Sequence, residues 1–499
     1  MKRRTKIIAT IGPSCSKKKI ISKLVNVGVN CFRINLSHGT SVEKKDLFDL
    51  VKSIKAPSGL RPTILADLSG PKIRVSGLQK EVDLNEGDEV TISNDQKGEN
   101  IIPVSKGVKF QKVEDGAKIL INDGLISLEV IKQVSEGSLL CKTIIPGRVE
   151  NRKGVNFPGI ALDIPTLTDQ DKKDLELSLK NGADWIALSF VRSAEDFNIV
   201  RSKIKKLGYN VPIMAKIEKW EAVKSMEKII ETFDAVMVAR GDLGVEVPGE
   251  KVPIIQKKII EKAGQAGKPA VIATQLLDSM IERPVPTRAE ISDIANSILD
   301  GADALMVTGE TAIGNHPIKV IKVLIKVMNE TESSIDYKNY FISKDHKILN
   351  TAKAISHAAC SVAQDQGINT LVTMTHSGST ARMVARYRPE SRIIAMTPFK
   401  FIARQLEIIW GVKAFVVSAY DSSDEIPEVA KNVLIKKGVV PGGGKFVMTG
   451  GVPVGITGTT NYLSIQKNER VEVSEDIDEI NTKKNAPDPV EDGFDVPVL

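Results

Sequence analysis

Lys216 and Glu218 stand two residues apart at the end of an apolar run, Pro212–Ile217 (PIMAKI), and Asp242 follows a second such run, Ala235–Arg240 (AVMVAR). If the two runs are neighbouring strands, Glu218 and Asp242 converge on one hard cation. Two carboxylates, with water and substrate oxygens completing the shell, are the usual way to hold Mg²⁺. The alternative is a pair of helix-capping or salt-bridged acids. Alternation along a strand puts Lys216 on the same face as Glu218, where its ammonium could steady a developing oxyanion or a phosphoryl group. Arg33 and Arg74 suit the forks that grip phosphate or carboxylate. Further polar residues end other apolar runs: Asn35, Ser37 and His38; Asp67 and the following Leu68–Arg74; Gly241; Thr274 and Gln275; Thr308–Thr311. One such residue is ordinary capping, but six run ends bearing arginine, lysine, carboxylate and hydroxyl groups together point to a site. The five histidines (His38, His316, His346, His357, His376) show neither metal spacing nor a local triad, and no Walker A loop is present.

The elements that must position these groups follow from hydrophobic pattern. Eight short, nearly continuous apolar runs read as strands buried on both faces: Lys6–Gly12, Cys31–Ser37, Thr63–Leu68, Trp185–Phe190, Pro212–Ile217, Ala235–Arg240, Pro269–Gln275 and Ala304–Gly309. Helix-like segments separate most of them. Thr168–Asp171 reads as a capping-box variant that opens a helix ending at Lys180-Asn181-Gly182. A short pattern recurs before three strands, Gly28-Val29-Asn30, Gly182-Ala183-Asp184 and Gly301-Ala302-Asp303, as one helix-stop and strand-entry solution. The alternation predicts an α/β protein built on a (β/α)8 TIM barrel, with an open doubly wound sheet as the alternative. In a barrel the site lies at the C-terminal strand ends, where the residues named above fall.

The rhythm breaks between residues 71 and 163, where alternating patterns and turn signals (Asn85–Asp88, Asn122–Gly124) predict an inserted all-β domain. The barrel then comprises residues 1–70 and 164–337. Residues 338–466 read as a C-terminal α/β regulatory domain, with strands at Thr370–Thr375, Arg392–Thr397, Val412–Ser418 and Lys445–Gly450. Residues 467–499 are polar, acidic and aperiodic, and read as a flexible tail.

The chain has 499 residues, 42% hydrophobic and 26% charged, which is globular composition and length for about three domains. The net charge of +7 conceals an asymmetry. Residues 467–499 hold ten acids and four bases, which leaves +13 on residues 1–466. With 4% aromatics and no long Lys/Arg block, the excess points to anionic small molecules rather than nucleic acid. No apolar run has the roughly 20 residues that cross a bilayer, and the basic N-terminus lacks a signal-peptide core and cleavage site. The four scattered cysteines (Cys15, Cys31, Cys141, Cys360) suit a reduced, cytoplasmic protein.

Together the segments Phe32–Gly39 (FRINLSHG), Asp67–Arg74 (DLSGPKIR), Lys153–Pro158 (KGVNFP), Met214–Glu218 (MAKIE), Met237–Gly244 (MVARGDLG), Ala273–Gln275 and Thr308–Ala312 (TGETA) resemble the pyruvate kinase family, bacterial type, from residue 6 to about 466. The resemblance implies phosphoryl transfer from phosphoenolpyruvate to ADP, giving pyruvate and ATP. It implies Mg²⁺ or Mn²⁺ on Glu218 and Asp242, and Arg33 and Lys216 on the transferring group. Thr274 is then beside the enolate, with the Gly241 and Asp242 amides on the substrate carboxylate. Asn35, His38 and Arg74 fall at the nucleotide, and the inserted domain acts as a lid. Asn35, Ser37, Asp67 and Leu68 match the family's monovalent-cation site. Family members that need K⁺ mostly carry an acid where this chain has Lys72 and threonine where it has Leu68. Lys72 is therefore expected to place its ammonium in that region, and K⁺ is not required. Ser193 replaces a lysine that contacts nucleotide in many members. Thr375, His376, Ser377, Gly378, Ser379 and Thr380 align with the family's effector site and form either a phosphate cradle or a plain helix cap. The segment from Gly450 to Thr460 resembles the loop that closes over the effector, a sugar phosphate or nucleotide. A homotetramer is the family's habit, and neither nucleic acid nor membrane is implied as a partner. A lyase handling phosphoenolpyruvate or pyruvate on a similar barrel would need neither the lid nor Lys216 beside Glu218. A catalytically silent sensor would not keep Lys216, Glu218, Asp242 and Thr274.

Overall fold

The computed structural model describes residues 3–96, 98, 100–105, 108–337, 350–420, 422, 424–453 and 458–468. Eight parallel strands close into a barrel in chain order: Lys6–Thr10, Cys31–Asn35, Thr63–Asp67, Trp185–Leu188, Ile213–Ile217, Ala235–Ala239, Ala270–Ala273 and Ala304–Val307. Each lies within one of the eight apolar runs. Seven of the eight are buried along their whole length, Cys31–Asn35 being the exception, as a sheet walled by helices on one face and filled by side chains on the other requires. The helix after residue 168 also forms as expected, over Asp169–Lys180, with Thr168 and Asp171 satisfying each other's backbone amides in a capping box.

Between barrel strand three and that helix lie a six-stranded sheet and a two-stranded ribbon with a core of their own. The fold is thus the expected barrel with an all-β insertion and a C-terminal α/β unit. Among the described residues that last unit carries five strands, one more than the sequence pattern suggested. The addition is Thr460–Lys467, an antiparallel edge strand paired with Lys445–Gly451. Its half-exposed, weakly apolar face hid it among the Gly/Thr-rich residues before it and the tail after it. Residues 469–499 of the tail and 454–457 of the segment from Gly450 to Thr460 lie outside the described residues.

The recurrent pattern before the barrel strands does more than stop helices. Asn30, Asp184 and Asp303 each accept the backbone amide that starts the preceding strand, from Ile7, Ile64 and Ala270, at 3.1, 2.9 and 2.9 Å. Each also anchors the C-terminal unit. Asn30 donates to Glu407, Asp184 takes the Arg404 guanidinium at 2.8 Å, and Asp303 takes Arg388 at 3.0 Å. The barrel floor is therefore continuous with the C-terminal core. One apolar cluster runs from Ile8, Leu65 and Met306 inside the barrel to Leu371, Val384 and Ile409.

Candidate active site

The open end of the barrel collects the charged residues. Lys216, near the end of strand five, has its ammonium 2.8 Å from the Ser189 hydroxyl, 2.9 Å from Glu218 Oε1 and 3.3 Å from Asp67 Oδ1. Arg33, in strand two, donates to Asp67 Oδ2 at 2.6 Å and to the Thr10 hydroxyl at 3.2 Å. Asp67 and Glu218 are each about 1% exposed. Burial alone would raise the Asp67 pKa, but Lys216 and Arg33 outweigh it and hold the carboxyl below its ordinary value. Burial would likewise lower the Lys216 pKa, and Asp67 and Glu218 reverse that and raise it. For Glu218 burial wins. Its pKa rises, with Asp242 adding to the effect and Lys216 opposing it.

The Phe190 amide donates to Glu218 Oε2 at 2.9 Å. Oε1 is buried against the Lys216 ammonium at 2.9 Å. These two protein contacts leave acceptor sites of a buried carboxylate open, which marks a place for a cation. Asp242, on the short helix that follows strand six, is the neighbouring carboxylate, and its side chain is 28% exposed. This donor set of hard oxygens fits a divalent cation such as Mg²⁺. No cluster of three or more His, Cys, Asp or Glu suited to a metal occurs among the described residues, so such an ion would keep positions for water and substrate.

Thr274 sits at φ +69° and Gln275 at +54°, a left-handed pair that is strained for a β-branched residue. Arg240 holds the pair in place. It donates to the carbonyls of Thr274 (2.7 Å) and Gln275 (3.1 Å) and is itself clasped by Asp293 at 2.6 Å. The Gly241 amide donates to the Thr274 hydroxyl at 2.9 Å, so this amide is engaged rather than free for a carboxylate. A side chain at Gly241 would meet Thr274 at 3.7 Å.

The expectation for Lys72 needs correction. Its ammonium lies on Asp242, 2.7 Å from Oδ1, and 3.8 Å from Asp123 of the inserted domain, rather than among Asn35, Ser37 and Asp67. Asp67 already has two cations, so the third charge goes to the carboxylate that lacks one. Asn35 accepts the Ser37 amide at 3.2 Å, and Ser37 and His38 are exposed. The Leu68 carbonyl accepts the Ser189 hydroxyl at 2.6 Å. Arg74 stands apart on the stalk of the inserted domain, donating to the Arg152 carbonyl at 2.9 Å. The Ser193 amide donates to Asp196 at 3.2 Å at the start of a helix, which brings no cation to that position.

Sequence reasoning missed Thr10, Ser189 and the holding role of Arg240. Thr10 and Ser189 end or follow strands one and four, the two barrel strands at whose ends the sequence reading named no residue. Reading hydroxyls as well as charges at every strand end would have found them.

In the C-terminal unit, Thr375–Gly378 link the strand Thr370–Met374 to the helix Ser379–Ala385. Ser377 and Ser379 bond each other at 3.1 Å, and Thr380 is buried against Thr460 at 2.8 Å. His376 packs edge-on against Phe399 and Tyr420.

Residues 2–321 match the family described as pyruvate kinase, barrel domain, and residues 353–466 match pyruvate kinase, alpha/beta domain. The chain is 40% identical over 471 residues to pyruvate kinase 2 of Synechocystis sp., covering 93% of this chain and 79% of that one. It is 38% identical over 472 residues to pyruvate kinase of Clostridium acetobutylicum, covering 93% and 99%. A crystal structure of a pyruvate kinase from Cryptosporidium parvum superposes with a TM-score of 0.86 at 33% identity, covering 93% of this chain and 96% of that one.

Proposed function

The chain belongs to the pyruvate kinase family, and we propose that its barrel mouth moves the phosphoryl group of phosphoenolpyruvate to ADP. The observation that carries this reading is the buried Lys216 ammonium set among Asp67, Ser189 and Glu218 at the open end of the barrel. A terminal oxygen of ADP attacks phosphorus, the bond from phosphorus to the enol oxygen breaks, and the enolate takes a proton at carbon to give pyruvate. Arg33 and Lys216 grip the phosphoryl group, and Lys216 stays beside the enolate oxygen as its charge develops. Its raised pKa keeps the ammonium charged for that purpose. A divalent ion held by Glu218 and Asp242 would supply charge neutralisation between substrate and protein. Thr274, fixed in its strained conformation by Arg240, sets the face of the enolate that receives the solvent-derived proton. Asn35, His38 and Arg74 border the nucleotide side. Positioning and charge neutralisation are most of phosphoryl-transfer catalysis.

The finer readings belong to the same proposal. Lys72 brings a resident positive charge to the mouth, through Asp242 rather than through Asp67, and the reaction runs without K⁺. The inserted domain excludes water as a lid. The Thr375–Thr380 turn takes a phosphorylated effector, and the enzyme works as a cytoplasmic homotetramer. No helix among the described residues is long and apolar enough to cross a membrane.

The test is ADP-dependent pyruvate formation by the full chain with Mg²⁺, in K⁺-free buffer and then with K⁺. Pyruvate is expected in both buffers, and Glu218→Gln is expected to remove it. Activity that appears only with K⁺ removes the K⁺-independent reading alone. No pyruvate under either condition, with candidate sugar phosphates also present, overturns the kinase reading.

A further inference from the structure

A cavity of about 320 Å³ lies far from the strand ends used so far, at the start of the C-terminal sheet rather than at its Thr375 end. The N-terminal strap of the barrel forms one wall with Arg3 and Arg4. The sheet forms the other with Arg392, Lys413 and Trp410. In the parallel register Ile394 pairs with Lys413, so Arg392 and Lys413 emerge on one face. Both are exposed, and neither side chain has an ion pair or hydrogen bond among the described residues. The Lys413 ammonium merely stands 5.1 Å from the Phe415 ring.

The two strap arginines have neutral partners. Arg3 donates to the carbonyls of Gly28 and Thr5 and to Asn30 Oδ1. Arg4 donates to the carbonyls of Pro389 and Glu390 and lies over the rings of Tyr337 and Trp410, at 4.1 and 5.3 Å. The nearby acid Glu332 spends its oxygens on the backbone amides of Arg4 and Thr5, at 2.7 and 2.6 Å. Glu390 is the single acid in the lining, against four cations. Burial pushes the Arg3 pKa down to about 10 and lowers that of Arg4, as expected for guanidiniums whose direct partners are uncharged.

We propose that this cavity is an anion-binding site that takes a compact oxyanion of charge two or more, a phosphate group above all. Cations arriving from the strap and from two strands can share the several oxygens of one anionic group. The volume suits a small metabolite that carries the phosphate. Because the strap belongs to the barrel and the strands to the C-terminal unit, the ligand would tie the two together. The oxyanions have two possible sources. One is a free phosphorylated molecule. The other is the chain's own acidic residues 469–499. These follow Asn468, whose amide group bonds the Val440 carbonyl at 2.9 Å, next to Val439 in the cavity lining.

The test titrates the full chain with inorganic phosphate, without divalent metal, while following Trp410 fluorescence, with Trp410→Phe as the control for that signal. Removal of two charge-assisted contacts should weaken binding about tenfold or more in Arg392→Ala/Lys413→Ala. Thr380→Val, in the turn at the other end of the sheet, should leave the phosphate dependence of the Trp410 signal unchanged. The double variant should keep its turnover, which shows that it folds. A variant with Glu475→Gln, Asp476→Asn, Asp478→Asn and Glu479→Gln separates the sources. Unchanged phosphate affinity assigns the site to a free anion, and a tenfold gain assigns it to the tail. Phosphate binding by Arg392→Ala/Lys413→Ala equal to that of the unmodified chain overturns the proposal, as does no binding with or without the tail acids.

Discussion

The two ends of the barrel bury similar charges to opposite effect. At the floor, Asp184 takes Arg61 at 2.7 Å, Arg404 at 2.8 Å and the Ile64 amide at 2.9 Å, and Asp303 takes Arg388, the Trp410 amide and the Ala270 amide. Burial opposes the ionised form of Asp184, and the two arginines outweigh it, so the acid stays below its ordinary pKa. At the mouth, Glu218 is equally buried, but it shares one cation, Lys216, with Asp67 and lies near a second acid, Asp242, and its pKa is raised. Thr274 is strained there as well. Where charge is fully paired, it fixes two units against each other. Where pairing is left incomplete, the shortfall is available to a substrate and its metal.

Breaking the floor should give the largest effect on stability. Asp184→Asn leaves Arg61 and Arg404 buried without an anion, a loss of about 3–5 kcal/mol in denaturant unfolding, with turnover per folded molecule nearly unchanged. At the mouth, Lys216→Ala should reverse the pattern. We expect kcat to fall about 10²–10³-fold with a small change in Tm.

Lys6 sharpens the contrast, because it is a fully buried floor cation bonded to a carbonyl, that of Val412. Burial pushes its pKa from 10.5 down to about 8. Below pH 8 both states carry the charge, and the folded state bears the full cost. Between pH 8 and 10.5 the unfolded chain holds a proton that the folded chain has shed, so stability rises with pH across that window. Lys6→Met should be more stable at pH 7 by up to about 3 kcal/mol and should lack that rise, as urea midpoints measured from pH 7 to 10.5 would show. The smallest effect is expected from Arg240→Lys, which keeps the charge but loses the fork on the Thr274 and Gln275 carbonyls. Turnover should drop about tenfold with little change in KM for phosphoenolpyruvate.

The barrel strands were legible because strands buried on both faces must be apolar almost throughout. The helix after Thr168 was legible because its cap is local. Lys216, Glu218 and Asp242 could be placed at one strand-end cluster by spacing alone. Other features depend on distant partners and have no local pattern. Lys72 meets Asp242 across 170 positions, and Arg240 secures a backbone conformation in another strand end. The glycine-led turns before three strands could be recognised as strand entries. Their second task, receiving Glu407, Arg404 and Arg388, became visible only with the C-terminal unit in place.

The most direct measurement sets turnover per folded molecule for Lys216→Ala beside that for Asp184→Asn, using ADP-dependent pyruvate formation with the folded fraction taken from unfolding curves. The account predicts a collapse of turnover for Lys216→Ala and near-native turnover for Asp184→Asn. Near-native turnover for Lys216→Ala, or a comparable collapse for folded Asp184→Asn, would contradict it.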